Sequence, residues 1–112
     1  MKKILVIVFS ILATTTFAQK NIEEATFAVK GNCGMCKNRI ESALDIKGVK
    51  LANWDSKTGM LHVVFNTKKT NLETIHKAIA NAGHDTDREK ANEEVYKNLP
   101  DCCLYRDNYN PH

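Results

Sequence analysis

The sequence contains no apolar run long enough to cross a bilayer comfortably. Its longest apolar stretch, Ile4 to Ala13, falls well short of a span, and nothing later in the chain resembles one. There is no basic stripe and no aromatic platform. The 16 Lys and Arg are interleaved with 13 Asp and Glu, which argues against a nucleic-acid partner. No repeat or low-complexity tract is visible, so one small domain with a modest core is expected. No general acid–base pair and no nucleophilic triad stands out, so the chain does not read as an enzyme. Cysteine is absent from the middle: Cys33 and Cys36 form one tight pair, Cys102 and Cys103 another. Two such pairs staple very little chain, which makes a structural disulfide framework a poor explanation for them.

What is present begins with Lys2 and Lys3, the apolar run, and the small residues Thr14 to Ala18, with Thr16 and Ala18 suited to cleavage before Gln19. This predicts a secretory signal peptide over residues 1–18 and a periplasmic or otherwise secreted monomer starting at Gln19. No cysteine stands just after the apolar run, which argues against lipid attachment. Loss of Lys2 and Lys3 lowers the formal charge from +3 to +1.

The remaining periodicities predict an α+β fold. Residues 24–30 alternate, with Phe27 and Val29 on one face of a strand. A helix is predicted from Gly34 to Lys47, with Ile40, Ala43 and Leu44 inward and Gly48 as its stop. Val49 to Asp55 reads as a second strand whose inward set, Val49/Leu51 or Ala52/Trp54, is ambiguous and compatible with a bulge. Residues 55–59 form a hairpin loop, and Met60 to Phe65 a third strand with Leu61, Val63 and Phe65 inward. Thr70 and Glu73 can form a capping box for a second helix carrying Leu72, Ile75, Ile79 and Ala82 inward and ending at Gly83. Residues 84–90 occupy the place of a fourth strand but are very polar. Residues 91–99 predict a short helix packing through Ala91, Val95 and Leu99. Tyr96 and Tyr105 read as packing residues, and the end of the chain as loose.

Cys33-Gly34-Met35-Cys36 joins the first strand to the first helix. Two thiols so spaced turn toward one point, where they can bind a soft ion (Cu(I), Zn(II), Hg(II) or Cd(II)) or close a small disulfide. A thiol at a helix N-terminus is ionised more readily. Cys36 is placed for this effect, with Lys37 and Arg39 nearby. A thioredoxin-like redox role is the other use of this motif. Gly-Met between the cysteines, the absence of proline there, and the hairpin directly after the first helix all weigh against it.

The order βαββα(β), the Cys-x-x-Cys pair, Val29, the run Ile40-Glu41-x-Ala43-Leu44, Gly48-Val49, the hairpin and Ala82-Gly83 together resemble the heavy-metal-associated domain family over residues 22–88. That family includes copper chaperones, small domains of copper-pumping ATPases and periplasmic mercury-binding proteins. The resemblance implies a ferredoxin-like βαββα(β) fold, an open antiparallel sheet with two helices on one face. It implies that Cys33 and Cys36 hold Cu(I) and pass it on by thiolate exchange to a membrane metal transporter or efflux complex. Zn(II) and Hg(II) are the other candidate ions. The domain would run over residues 19–88, followed by an extension over residues 89–112. One departure is local: where the family has Gly-Met-Thr before its first cysteine, with the methionine beneath the metal loop, this chain has Lys30-Gly31-Asn32.

In the family fold the loop holding His84 lies at the metal end. His84 is therefore either a third ligand or tuning neighbour, or a surface turn residue. Cys102 and Cys103 admit a length argument. A strand of about five residues from His84 runs about 16 Å away from the metal loop, and a helix over residues 89–98 returns about 15 Å. This predicts one composite site of Cys33, Cys36, Cys102 and Cys103, with His84 as a candidate further ligand. Cross-disulfides such as Cys33 to Cys102, or a partner-facing pair, are the alternatives.

Overall fold

The computed structural model describes residues 21–112; the expected signal peptide lies outside the described residues. Seven elements follow in order: β1 (Ile22–Ala28), α1 (Gly34–Ala43), β2 (Val49–Trp54), β3 (Met60–Asn66), α2 (Leu72–Asn81), α3 (Glu93–Lys97) and a 3-10 turn over Asp101–Cys103. The strands form an antiparallel sheet of order β1-β3-β2, the expected ferredoxin-like arrangement. The fourth strand is reduced to one bridge, Val29 with Thr86, beside a hydrogen bond from Lys30 N–H to the Asp85 carbonyl at 2.9 Å. The run of charged side chains after His84 has nothing apolar to place on a sheet face, so pairing stops there.

Alternation in β1 and β3 turns Phe27, Val29, Leu61, Val63 and Phe65 inward, where they meet Ile40 and Leu44 of the first helical segment and Ile75 and Ile79 of α2. In β2 the pairing slips between Val49 and Leu51, leaving Lys50 as a bulge. Trp54 is fully buried, whereas Leu51 is exposed, so Ala52/Trp54 is the inward set. Helix α1 stops at Ala43, short of the expected Lys47. The amide N–H groups of Leu44 and Asp45 bond back to the carbonyls of Glu41 and Ser42, tightening the end, and Gly48 lies in the turn beyond. The cap of α2 is Asn71, whose side chain accepts from Thr74 N–H at 2.8 Å. Thr70 is buried instead, and the expected Thr70–Glu73 box is not made.

The extension shares the core. Ala91, Tyr96, Leu99, Cys103 and Tyr105 are buried, and all but Ala91 belong to the same cluster as the sheet residues. The expectation that Val95 packs inward is not met: α3 spans only five residues, and its buried side chain is Tyr96. Gly83, at φ +108°, ends α2; a Cβ there would lie 2.8 Å from a Leu99 methyl, so the helix end is shaped to receive the extension. The expected loose C-terminus is also corrected. Asn110 N–H donates to the Asn32 side-chain oxygen, and Lys30 lies over the Tyr109 ring. Among the described residues no helix is long and apolar enough to cross a membrane.

Candidate metal centre

Cys33 is the N-cap of α1 in extended conformation, and Cys36 lies in its first turn. Cys36, Ile40 and Leu44 recur every four residues on the core-facing stripe, so burial of Cys36 follows from the helix itself. The sulfurs of Cys33 and Cys36 are 3.5 Å apart. The 3-10 turn brings Cys103 Sγ to 2.6 Å from Cys36 and 3.8 Å from Cys33, and Cys102 Sγ to 3.1 Å from Cys33. All four are free thiols. Cys33, Cys36 and Cys103 are buried, with their sulfurs all within 4.8 Å of one another. Cys102 is half-buried at the rim.

The path by which the second pair arrives differs from the expected strand and long helix. After the single bridge at Thr86 the chain turns at once, Thr86 N–H bonding to the Glu89 carbonyl, and only the short α3 intervenes. Polar clasps then hold it. Arg106 donates to both oxygens of Asp85 at 3.1 and 2.7 Å, to the Ala91 carbonyl and to Glu93, and lies over the Tyr96 ring. The hydroxyl of Tyr105 donates to the Gly83 carbonyl and accepts from Asp85 N–H. Asn32, buried directly before Cys33, donates through its side chain to the carbonyls of Cys102 and Asn108, while its own N–H donates to Cys36 Sγ.

Burial alone would raise the Cys33 thiol. Its hydrogen bond with Cys102 and the first-turn N–H groups of Cys36 and Met35, which face it without closing a full bond, outweigh that and bring it to about 7. Burial and the contact with Cys36 push Cys103 far up, and the hydrogen bond with Cys33 raises Cys102. The Lys37 ammonium is held by Glu41, the Asn53 side chain and the Trp54 carbonyl.

His84 is fully buried, not a surface turn residue, but it is outside the cluster of ligand atoms. Its Nδ1 bonds to the Lys30 carbonyl at 2.7 Å, its ring stacks on Tyr105, and burial lowers its pKa. A carbonyl can only accept, so Nδ1 carries the proton and Nε2 presents its lone pair without a partner among the described residues. Beneath the loop, Gly31 stands at the family's methionine position. A Cβ there would come within 3.0 Å of the Trp54 ring and 3.1 Å of Cys36 Cβ. Trp54 fills that space, its indole N–H donating to the carbonyls of Val29 and Gly59.

Residues 26–85 match the sequence model of the heavy-metal-associated domain. The chain belongs to the heavy-metal-associated domain family. Three solved structures carry the same fold. CopZ metallochaperone is 32% identical over 57% of this chain and 98% of its own, with a TM-score of 0.55. A putative copper-ion-binding protein from Bacillus anthracis is 29% identical over 59% and 96%, at 0.56. The N-terminal domain of a potential copper-translocating P-type ATPase from Bacillus subtilis, in its Cu(I)-loaded state, is 30% identical over 58% and 84%, at 0.55. No curated protein sequence matches the chain significantly. Within this heavy-metal-associated domain protein, Cys102 and Cys103 lie beyond the matched region, yet their sulfurs meet those of the family's cysteine pair.

Sequence reasoning missed the Asn32 latch, the Asp85–Arg106 clasp and the role of Trp54. A single tryptophan closing β2 and one arginine placed three residues after Cys103 were the available signals.

Proposed function

We propose that this protein is an exported carrier or buffer of Cu(I), held by Cys33 and Cys36 together with Cys103 and Cys102 and handed to a membrane metal transporter by ligand exchange. The observation that carries the reading is the buried cluster of three sulfurs within 4.8 Å of one another, built on the family loop. Metal–sulfur bonds of about 2.3 Å bring the sulfurs of a trigonal or tetrahedral site to about 3.7–4.0 Å from one another. The Cys33–Cys36 and Cys33–Cys103 separations of 3.5 and 3.8 Å suit this directly, whereas the Cys36–Cys103 pair at 2.6 Å must open by about 1 Å. All donors are soft sulfurs, which favours Cu(I) over hard cations, with Zn(II) and Hg(II) as the next ions to test. The copper-binding neighbours among the solved structures support the same choice. His84 then acts as a neutral prop that holds the Lys30 carbonyl at the base of the loop. The N-terminal basic and apolar segment supports export.

The short Cys36–Cys103 separation also supports a competing oxidised form in which these two residues close a disulfide. The test is anaerobic titration of the reduced protein with Cu(I) in competition with a strong Cu(I) chelator. Tight stoichiometric binding that is abolished in Cys33→Ser/Cys36→Ser is expected. A wild-type protein that cannot compete for Cu(I) contradicts the copper reading.

A further inference from the structure

Met35 is unexplained by the core. It lies between the two loop cysteines in the first turn of α1, yet 52% of it is exposed. Its thioether Sδ is 3.6 Å from Cys102 Sγ, the one half-buried thiol. From there the sulfurs continue inward in steps: Cys102 to Cys33 at 3.1 Å, Cys33 to Cys36 at 3.5 Å, Cys36 to Cys103 at 2.6 Å. Exposure falls along the same series, from Met35 through Cys102 to Cys33 at 4% and to Cys36 and Cys103 at 0%. Every step is shorter than about 4.6 Å, twice a metal–sulfur bond, so once the Cys36–Cys103 pair has opened as described above, one ion can bond two successive sulfurs without passing through water.

We propose that Met35 and Cys102 form an outer soft-metal site, the point at which Cu(I) enters and leaves the inner cysteine cluster. This rests on the Cu(I) reading above and adds the direction and route of transfer. A thioether is a soft donor that needs no deprotonation and binds more weakly than a thiolate, so it suits a transient stop and not a store. Its unbranched side chain is free to turn between Cys102 and a donor on a partner.

The steps balance without redox change. At the outer site the Cys102 thiol releases its proton to buffer and forms a Cu–S bond, while Met35 lends a thioether lone pair. Cys33 then loses its proton to buffer and bonds, and the bond to Met35 breaks. Cys36 or Cys103 then loses its proton and bonds, after which Cys102 either stays bound or regains a proton. Copper remains Cu(I) throughout, and no sulfur is oxidised. Delivery runs the same steps in reverse, with a partner thiolate replacing Cys102.

Two measurements on the reduced protein test this. The first is methyl NMR with 13C-labelled methionine during Cu(I) addition. The Met35 methyl should shift, and that of Met60, the exposed methionine that starts β3, should stay fixed as the internal control. The second is stopped-flow transfer of Cu(I) from loaded protein to a chelator. Met35→Leu keeps the shape and removes the sulfur, and it should slow transfer about tenfold, with a much smaller change in equilibrium affinity. A wild-type protein that binds Cu(I) tightly while the Met35 methyl does not move and Met35→Leu transfers at the wild-type rate overturns the outer site alone. A wild type that binds no Cu(I) overturns both this route and the carrier reading.

Discussion

The two cysteine pairs reach the same point by different physics. Cys33 and Cys36 are fixed by a helix start whose core-facing stripe runs on through Ile40 and Leu44, over a loop seated on Trp54. Cys102 and Cys103 lie on a three-residue turn that has little regular structure of its own. They are held by apolar contacts of Leu99 and Tyr105 and by the polar clasps of Arg106 on Asp85 and Asn32 on the Cys102 carbonyl. The first pair is therefore as stable as the domain, whereas the second is as stable as its clasps. On the proposed Cu(I) reading, an ion held by both pairs would be released by loosening only the second.

The largest separation of the two regions should come from Arg106→Ala. It strands the mostly buried Asp85 carboxylate and should cost the extension about 2–3 kcal/mol. Hydrogen exchange should rise over residues 99–112 while β3 stays protected. Equal loosening of both regions would show that they do not unfold separately.

A smaller effect is expected from Asn32→Ala, which removes two hydrogen bonds to the extension and one from Asn110 N–H, about 1–2 kcal/mol in all. Thiol labelling should then speed up at Cys102 and Cys103 with Cys33 and Cys36 changing less. Uniform labelling of all four would break the distinction.

The smallest effect is in acid, where the regions should respond in different windows. Burial of His76 against Phe27 lowers its pKa below 6.5, so the unfolded chain takes up a proton that the folded domain resists. The domain should therefore lose stability as pH falls below 6.5. Asp85 is raised by burial but lowered more by Arg106, so its folded pKa lies below the ordinary 3.8. Its contribution is complete well above that value and is lost as pH falls through and below it. Melting curves from pH 7 to 3 should show a gradual decline first and release of the extension last. The reverse order would contradict the assignment of these two groups.

Much of this was legible in the amino-acid order. The alternation of Leu61, Val63 and Phe65, the helical spacing of Ile75 and Ile79, and the Cys-x-x-Cys junction led directly to the sheet, α2 and the metal loop. That Cys102 and Cys103 return to that loop was also reached, though by a route the molecule does not take: a bridge and a tight turn replace the strand, and α3 is half the expected helix. What escaped was everything set by single long-range polar contacts. Asn32 and Arg106 carry no periodic signal, and their partners lie 70 and 21 residues away. His84 illustrates the same limit, because a histidine after a helix-ending glycine gives no sign that its Nδ1 is bound to the Lys30 carbonyl.

The measurement that most directly tests the central claim is the number of sulfurs around bound copper, read by X-ray absorption on the Cu(I)-loaded protein and on Cys102→Ser/Cys103→Ser. Three or more sulfurs in the wild type, falling to two in the variant, is the predicted result. Two sulfurs in both would show that the extension only covers the metal loop and takes no part in binding.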